Sequence, residues 1–306
     1  MYTFIVNPHS RSGKGMKTWK VVESILKEEK KLYEVHFTKY QNHATSITKE
    51  LTSDEAEHKI VVLGGDGTIN EVVNGIRDLS KVILGYIPTG SSNDFSRAQK
   101  IPKDPREALR NIFDEKYIRS IDIGVMNYPK KRRRFVVSAG IGFDAAVCHQ
   151  AVISKMKVLL NRIKLGKLTY VGIALNRLIY STPTQLTLTV DNKDPIVFEN
   201  TLFAATMNHC YEGGGIQFSP KARPDDKLLD IVIVNNVSLP KILLLLPLAF
   251  FGKHTFAKEV HIHTCHTAII ETARSLPVHC DGEPVFQQRI IKTSLEDTQL
   301  RIFSSH

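Results

Sequence analysis

Ile60-Val61-Val62-Leu63-Gly64-Gly65-Asp66-Gly67-Thr68-Ile69-Asn70-Glu71 passes from an apolar run, through a glycine-rich turn, into residues with helical spacing. The spacing predicts a fully apolar strand over Ile60–Leu63, a turn over Gly64–Thr68 and a helix over Ile69–Ile76. Such a turn suits a phosphate. Its glycines let backbone N–H groups approach an anion and permit positive φ. The helix start adds unpaired N–H groups and a favourable dipole. Thr68 offers a hydroxyl. Asp66 is an acceptor, ill-suited to touching phosphate directly; ribose, Mg²⁺ through water and a neighbouring backbone group are its open partners. An isolated glycine pair is as often structural as functional; five residues in this setting are more specific. Two better-known phosphate motifs are absent: Gly13-Lys14 is followed by Gly15 rather than a hydroxyl residue, and no GxGxxG follows a strand.

The same alternation extends on both sides. Tyr2–Val6, Tyr33–Phe37 and Val82–Ile87 read as strands; Lys17–Lys30, Ala44–Leu51 and Pro105–Phe113 read as helices. In Lys17–Lys30, Trp19, Val22, Ile25 and Leu26 fall near one face. Strand–helix alternation implies a parallel sheet with helices on both faces. Two further polar turns follow strands: Asn7-Pro8-His9-Ser10-Arg11-Ser12-Gly13-Lys14-Gly15 and Pro88-Thr89-Gly90-Ser91-Ser92-Asn93-Asp94-Phe95. In a parallel sheet all three turns gather at the carboxyl edge, where ligands bind.

Beyond about residue 120 the pattern changes. Phe135–Ala139, Gln185–Val190, Pro195–Asn200, Leu202–Met207, Leu229–Val234, Val260–Ile262, Thr267–Glu271, Val278–Cys280 and Gln299–Ile302 are short, strand-like and separated by turn residues. They predict an antiparallel sandwich or barrel, interrupted by a helical stretch over roughly Phe143–Tyr180. The turn-rich segment Asn127–Arg134 stands early in this half. The expected fold is α/β: an N-terminal doubly wound parallel-sheet domain (1–125), an antiparallel β-sandwich domain with inserted helices (126–290), and a C-terminal segment (291–306) returning to the first domain.

At 306 residues, two domains are a reasonable expectation. Lys and Arg outnumber Asp and Glu by 41 to 31, and this basic balance points to an anionic partner: nucleotide, nucleic acid or acidic membrane. No basic n-region precedes the apolar Met1–Pro8, so no targeting segment is read there. The most apolar stretch, Ile242–Phe251, contains Pro247 and falls short of the ~20 residues that span a bilayer. A soluble protein with at most peripheral membrane contact is expected. Cys148, Cys210, Cys265 and Cys280 are widely spaced, as free thiols of a reducing compartment would be.

Taken together, GGDGT after a strand, NP…SGKG at the amino end and PTGSSND after the next strand resemble the diacylglycerol kinase catalytic family, which includes soluble bacterial lipid kinases and the sphingosine and ceramide kinases. The resemblance continues through Glu212-Gly213-Gly214-Gly215, Pro220-Lys221-Ala222, Asp225-Asp226-Lys227-Leu228-Leu229-Asp230 and Val278-His279-Cys280-Asp281-Gly282-Glu283-Pro284. It covers nearly the whole chain in order. GGDGT alone is less specific, since NAD kinases and phosphofructokinases carry similar turns.

The resemblance implies an ATP-binding first domain, a lipid-substrate second domain, and ATP with Mg²⁺ as cofactors. Gly65, Asp66, Gly67, Thr68, Ile69, Asn70 and Glu71 would cradle ATP. Asn7, Pro8, Ser10, Ser12 and Gly13 would cover it, with Lys14 and Lys167 as candidate phosphate contacts and Thr38 near the nucleotide. Ser91 stands where the family has Thr, keeping a hydroxyl, with Asn93 and Asp94 in the same turn. Asp66 and Asp94 would organise Mg²⁺ through water. Glu283 would be the general base for the lipid hydroxyl, although Asp-Gly is also a plain hairpin signal. Asp226, with the carbonyls of Arg223 and Leu228, would hold a structural Mg²⁺. Lys227 departs there from the family glycine, placing a cation beside the site and restricting the turn.

The implied activity is phosphorylation of a lipid hydroxyl, diacylglycerol being the default acceptor. Phosphatidylglycerol, a sphingoid base and undecaprenol remain open. The competing readings are an NAD kinase-like enzyme with a soluble substrate, and a nucleotide-responsive membrane-binding regulator without catalysis. A cytoplasmic protein at the inner face of the membrane is expected, with no nucleic-acid partner; a homodimer is the commonest assembly. The run Lys130-Lys131-Arg132-Arg133-Arg134 reads as a solvated hairpin tip or a membrane contact. Lys155, Lys157, Arg162, Lys164 and Lys167 form a second basic set beside Met156, Leu159, Leu160 and Ile163. His261, His263 and Cys265 share a strand face and are expected to pack rather than bind metal.

Overall fold

The computed structural model describes residues 1–129, 131–153, 178 and 181–304. Strands β1 (Tyr2–Val6), β2 (Tyr33–Phe37), β3 (His58–Gly64) and β4 (Val82–Pro88) run parallel. Helices α1 (Ser10–Glu28), α2 (His43–Leu51), α3 (Asp66–Gly75), α4 (Asp94–Ala98) and α5 (Pro105–Asp114) lie between or after them. Every residue of β1 and β4 is buried, as expected of parallel strands covered on both faces. The strand period of two sorts neighbours into separate cores. Ile5, Ile60 and Val62 pack with α3 residues Ile69, Val72 and Val73. Phe4, Val61 and Leu63 pack with Trp19, Val22 and Leu26 of α1 and with Leu109 of α5. Helix α5 starts sharply because Asp104 accepts the N–H groups of Arg106 and Glu107, with Pro105 in the first turn.

The remaining strands are β5 (Ile118–Ile121), β6 (Gly124–Tyr128), β7 (Lys131–Phe135), β8 (Ser138–Gly142), β9 (Thr184–Val190), β10 (Ile196–Met207), β11 (Tyr211–Glu212), β12 (Ile216–Gln217), β13 (Leu229–Asn235), β14 (Val260–Cys265), β15 (Ala268–Cys280), β16 (Glu283–Leu295) and β17 (Leu300–Phe303). Among the described residues, helices α6 (Phe143–Ile153) and α7 (Leu239–Ala249) sit between these strands. The first sheet has the order β2-β1-β3-β4-β17-β5, with β17 parallel to β4 and antiparallel to β5. The second is antiparallel, ordered β14-β13-β10-β8-β15-β16-β6-β7, with β9 pairing both β10 and β15. The long strands β10 and β15 carry register shifts, which let them bend around one core. That core holds Phe135, Ile141, Leu188, Ile231, Ile270 and Val278.

Three readings need correction. Pro195–Asn200 and Leu202–Met207 are one strand, β10, with a bulge where Asn200 takes φ 49°. Strand β16 was not expected, because Gln287, Gln288 and Arg289 break its apolar alternation. The turn-rich segment holds β7, and its arginines are not a free tip. Arg134 pairs with Glu296 and donates to the carbonyls of Val73 and Ile76, Arg132 pairs with Glu296 at 2.5 Å, and Arg133 donates to Asn70 Oδ1 at 2.9 Å. The run thus clamps the second sheet to the C-terminal end of α3, where cations are favoured. Lys130 and the Lys155–Lys167 set lie outside the described residues. The four cysteines are unpaired. His261 meets Asn235 Oδ1, and the rings of His261 and His263 pack on Phe198, as expected of strand-face histidines.

Candidate active site

The glycine turn after β3 and the polar turn after β4 meet backbone to backbone. A Cβ on Gly90 would lie 2.6 Å from Gly65 Cα, and one on Gly65 would lie 3.1 Å from Gly90 Cα. Neither position accepts a side chain while the turns stay in contact. Asp66 fastens the contact: its carboxylate accepts the N–H of Phe95 at 3.2 Å and of Asp94 at 3.3 Å. The neighbouring backbone is thus one partner of Asp66. Burial, then the charge of Asp94, pushes the Asp66 carboxyl up to about 7.

The turn after β1 joins the same edge. Asn7 Nδ2 donates to Thr68 Oγ1 at 3.2 Å, and Ser10 Oγ lies 2.6 Å from Thr89 Oγ1. The Pro8 carbonyl accepts Met16 N–H at 3.2 Å. Arg11, Ser12 and Gly13 adopt φ 44°, 55° and 89°, so the chain coils left-handed before α1 proper. Exposed Lys14 follows, its pKa lowered by partial burial and by the neighbouring Arg11. Thr38 is buried at the end of β2, and its N–H donates to Val6 O at 2.9 Å.

The other sequence-predicted side chains are variously buried, engaged or exposed. Ile69 is fully buried in the core. The Glu71 carboxylate accepts N–H groups of Asn42 and Ala44, capping α2. Asn93 donates to Gly90 O at 3.0 Å, and Ser91 is exposed on the turn. Asn70 is buried, and its Nδ2 donates to Asp281 Oδ2 at 2.7 Å.

Opposite the glycine turn stands the β15–β16 turn. Asp281 and Gly282 take φ 50° and 77°, which presents Glu283 toward α3. A Cβ on Gly67 would lie 3.2 Å from Glu283 Oε1, while Glu283 Oε2 accepts Gln41 Nε2 at 3.2 Å. The two halves of the molecule therefore bring Glu283 and the glycine turn together. Gly213, Gly214 and Gly215 have φ 64°, 87° and 115°, and this coil aims the Gly214 N–H at Asp94 Oδ2, 2.7 Å away. Arg97 pairs with Asp94 and stacks over Tyr211 at 5.5 Å.

The family described as "Diacylglycerol kinase catalytic domain" matches residues 1–126, and "YegS C-terminal NAD kinase beta sandwich-like domain" matches 136–300. The chain belongs to the diacylglycerol kinase family. It is similar to the Bacillus subtilis protein named "Putative lipid kinase YtlR", at 31% identity over 92% of each chain. It is 29% identical to the "Diacylglycerol kinase" of Bacillus subtilis, over 91% of this chain and 88% of that one. A crystal structure of a Bacillus anthracis diacylglycerol kinase shares the fold, with TM-score 0.72 and 21% identity over 99% of this chain and 96% of that one. An NAD kinase from Archaeoglobus fulgidus shares it more distantly, with TM-score 0.54 and 13% identity over 99% of this chain and 94% of that one. The chain is thus an ATP-dependent lipid kinase by family.

Beside the second sheet of this kinase, Asp226 accepts the N–H of Leu228 at 3.1 Å. Burial, then the charges of Asp122 and Asp230, raises its pKa. Asp226 offers carboxylate oxygen, the donor type a hard cation such as Mg²⁺ takes, while Asp122 already accepts from Lys227 and Gln299. Lys227 takes φ 62°, so the turn keeps the left-handed backbone a glycine would supply, and its N–H donates to Asp122 Oδ2 at 2.7 Å. The expected restriction by Lys227 is therefore met as local strain, without loss of the turn.

The sequence reading also missed a buried array behind the site of the kinase. His279 Nε2 lies 3.1 Å from Asp144 Oδ2 and 3.2 Å from Glu212 Oε1. His279 Nδ1 accepts the N–H of Gly282 at 3.1 Å. That donor leaves Nδ1 without a proton, so the imidazole proton sits on Nε2 between the two carboxylates. Glu212 and His279 stand in two of the stretches that resemble the family and Asp144 in none, so only the fold shows that the three meet. Arg97, Gln41 and the acceptor role of Asp281 were missed for the same reason.

Proposed function

We propose that the protein transfers the γ-phosphoryl group of ATP to the hydroxyl of a membrane lipid, diacylglycerol being the acceptor, with Glu283 as general base. The observation that carries this is the seat of Glu283 against Gly67, at the start of the phosphate-binding helix. The names of the relatives support diacylglycerol.

Backbone N–H groups at Gly65–Thr68 and the α3 dipole would receive the phosphates, with Lys14 and the Asn7–Gly13 coil closing over them. Mg²⁺ on ATP supplies charge neutralisation for the transferring group. Asp66 and Asp94 would orient its waters while holding the two turns in register. Glu283, steadied by Gln41, would orient the acceptor hydroxyl and take its proton as the oxygen–phosphorus bond forms. A structural cation would be held by Asp226 and the carbonyls of Arg223 and Leu228, bracing the loop before β13.

Incubation with labelled ATP, Mg²⁺ and a total lipid extract tests the reading; labelled phosphatidic acid is expected. ATP consumption that depends on NAD rather than lipid rejects it. Glu283→Ala is expected to abolish turnover and retain nucleotide binding; a near-normal rate in that variant rejects the base.

A further inference from the structure

An enzyme whose acceptor is dissolved in a bilayer has to reach that bilayer, yet Arg132, Arg133 and Arg134 are held by Glu296, Asn70 and helix carbonyls. A different surface is available. Helix α7 buries Leu245 and Ala249 and turns Leu243 and Leu244 outward. The turn after it exposes Phe250, Phe251 and Phe256. Leu244 is 65% exposed, and Phe251 and Phe256 are each 73% exposed. Large apolar side chains gathered in this way mark an interaction surface.

The charges around the patch select its partner. From Asn236 to Lys258 the chain has no Asp or Glu. Lys253 and Lys258 are exposed, while Lys241 is paired with Glu259 at 2.7 Å. An apolar wedge rimmed by exposed lysines complements the headgroups and acyl chains of an anionic bilayer. At 11 residues, α7 is too short to cross that bilayer, so it would lie along the interface.

The patch is also coupled to the site. Gln217 Nε2 donates to the Phe250 carbonyl and His254 Nε2 meets the Phe218 carbonyl, both at 3.2 Å. Gln217 ends the β11–β12 hairpin, whose tip carries Gly214 on Asp94. One short hairpin therefore spans from the apolar turn to the wall of the cleft.

We propose that Leu243, Leu244, Phe250, Phe251 and Phe256 insert into the surface of an anionic bilayer, seating the cleft at headgroup level. The inference rests on the lipid-kinase reading for its partner. The test is flotation of the full chain with vesicles of phosphatidylcholine alone and of phosphatidylcholine with phosphatidylglycerol, without ATP. Wild type is expected to float with the anionic vesicles. Leu244→Asn/Phe251→Asn/Phe256→Asn is expected to lose that binding on the order of a hundredfold, and Lys253→Glu/Lys258→Glu to lose the preference for anionic lipid. The triple variant should keep its thermal midpoint and its rate on a short-chain diacylglycerol in monomeric solution. A triple variant that floats like wild type overturns the proposal, as does a wild-type dimer that the triple variant converts to monomer. Flotation that follows the variants while no lipid is phosphorylated upholds the surface and removes the acceptor assignment instead.

Discussion

Asn70 Nδ2 lies 2.7 Å from Asp281 Oδ2, joining the helix of the glycine turn to the turn that presents Glu283. The same carboxylate accepts the N–H groups of Val136, Val137 and Ser138 at 2.8, 2.8 and 3.0 Å. Asp281 thus fixes the far wall of the cleft on its own sheet, and Asn70 fixes that wall against the nucleotide side. Asn70→Ala should cost about 2 kcal/mol in urea unfolding. Asn70→Asp sets a second carboxylate against Asp281, which the Arg133 guanidinium on Oδ1 offsets only in part, and should also cost stability, about 1–3 kcal/mol. Wild-type midpoints in both variants would show that the pair does not hold the domains together.

Gly67→Ala tests the placement of Glu283. Gly67 lies in a helix, so alanine fits its backbone, and the new methyl carbon would sit 3.2 Å from Glu283 Oε1. The carboxylate has to shift. Turnover should fall by about tenfold or more, since a misplaced catalytic group costs up to ~100-fold, while the thermal midpoint stays within a degree or two of wild type. An unchanged kcat would place Glu283 off the reaction path.

Asp66, pushed up to about 7, gives a stability signature with a definite sign. Its folded pKa exceeds the unfolded value of about 3.9. Its contribution is therefore fully present below the unfolded value and lost as pH rises through about 7. Asp66→Asn should gain stability over wild type as pH rises from 5 to about 7.5, read from melting curves at each pH. A gain that is larger in acid would contradict the burial of an ionisable Asp66.

Lys227 is in the left-handed region at φ 62°, where a side chain costs roughly 1–2 kcal/mol. Lys227→Gly should raise stability by about 1 kcal/mol, after the greater unfolded-state freedom of glycine is set against relief of the strain. Denaturant titration decides it. If Asp226 holds a cation, Mg²⁺ should raise the melting midpoint of the wild type, and Asp226→Ala should remove that response. An identical Mg²⁺ response in Asp226→Ala would rule out the site.

His279 is the residue that the array behind the cleft depends on. His279→Gln lacks the imidazole acceptor that the Gly282 N–H uses. It should lower kcat with KM for ATP little changed, and Asp144→Asn should lower it less. A change confined to KM for ATP would deny His279 a part in setting the Glu283 turn.

Regular elements were readable where one local signal sufficed. Strands β1, β3 and β4 are built around short apolar runs, and the three turns after them are glycine-bearing and polar. The approach of Glu283 to Gly67 was available only through family resemblance, because Gly67 lies in a helix of the first domain and Glu283 opens a strand of the second sheet. What stayed hidden depended on tertiary pairing. Glu71 resembles a ligand-facing residue until α2 is seen to use it as a cap. The arginines of β7 resemble a solvated tip until Glu296 is seen to receive two of them. Polar side chains facing inward carry no periodic signature.

The position of β17 between β4 and β5 has a consequence for biosynthesis. A nascent chain that has produced β1 to β5 still lacks the strand that bridges the last two. The first sheet therefore stays open during translation of the entire second sheet, with the facing edges of β4 and β5 unsatisfied. Closure waits for Leu300–Phe303, so the two halves finish folding together rather than in turn.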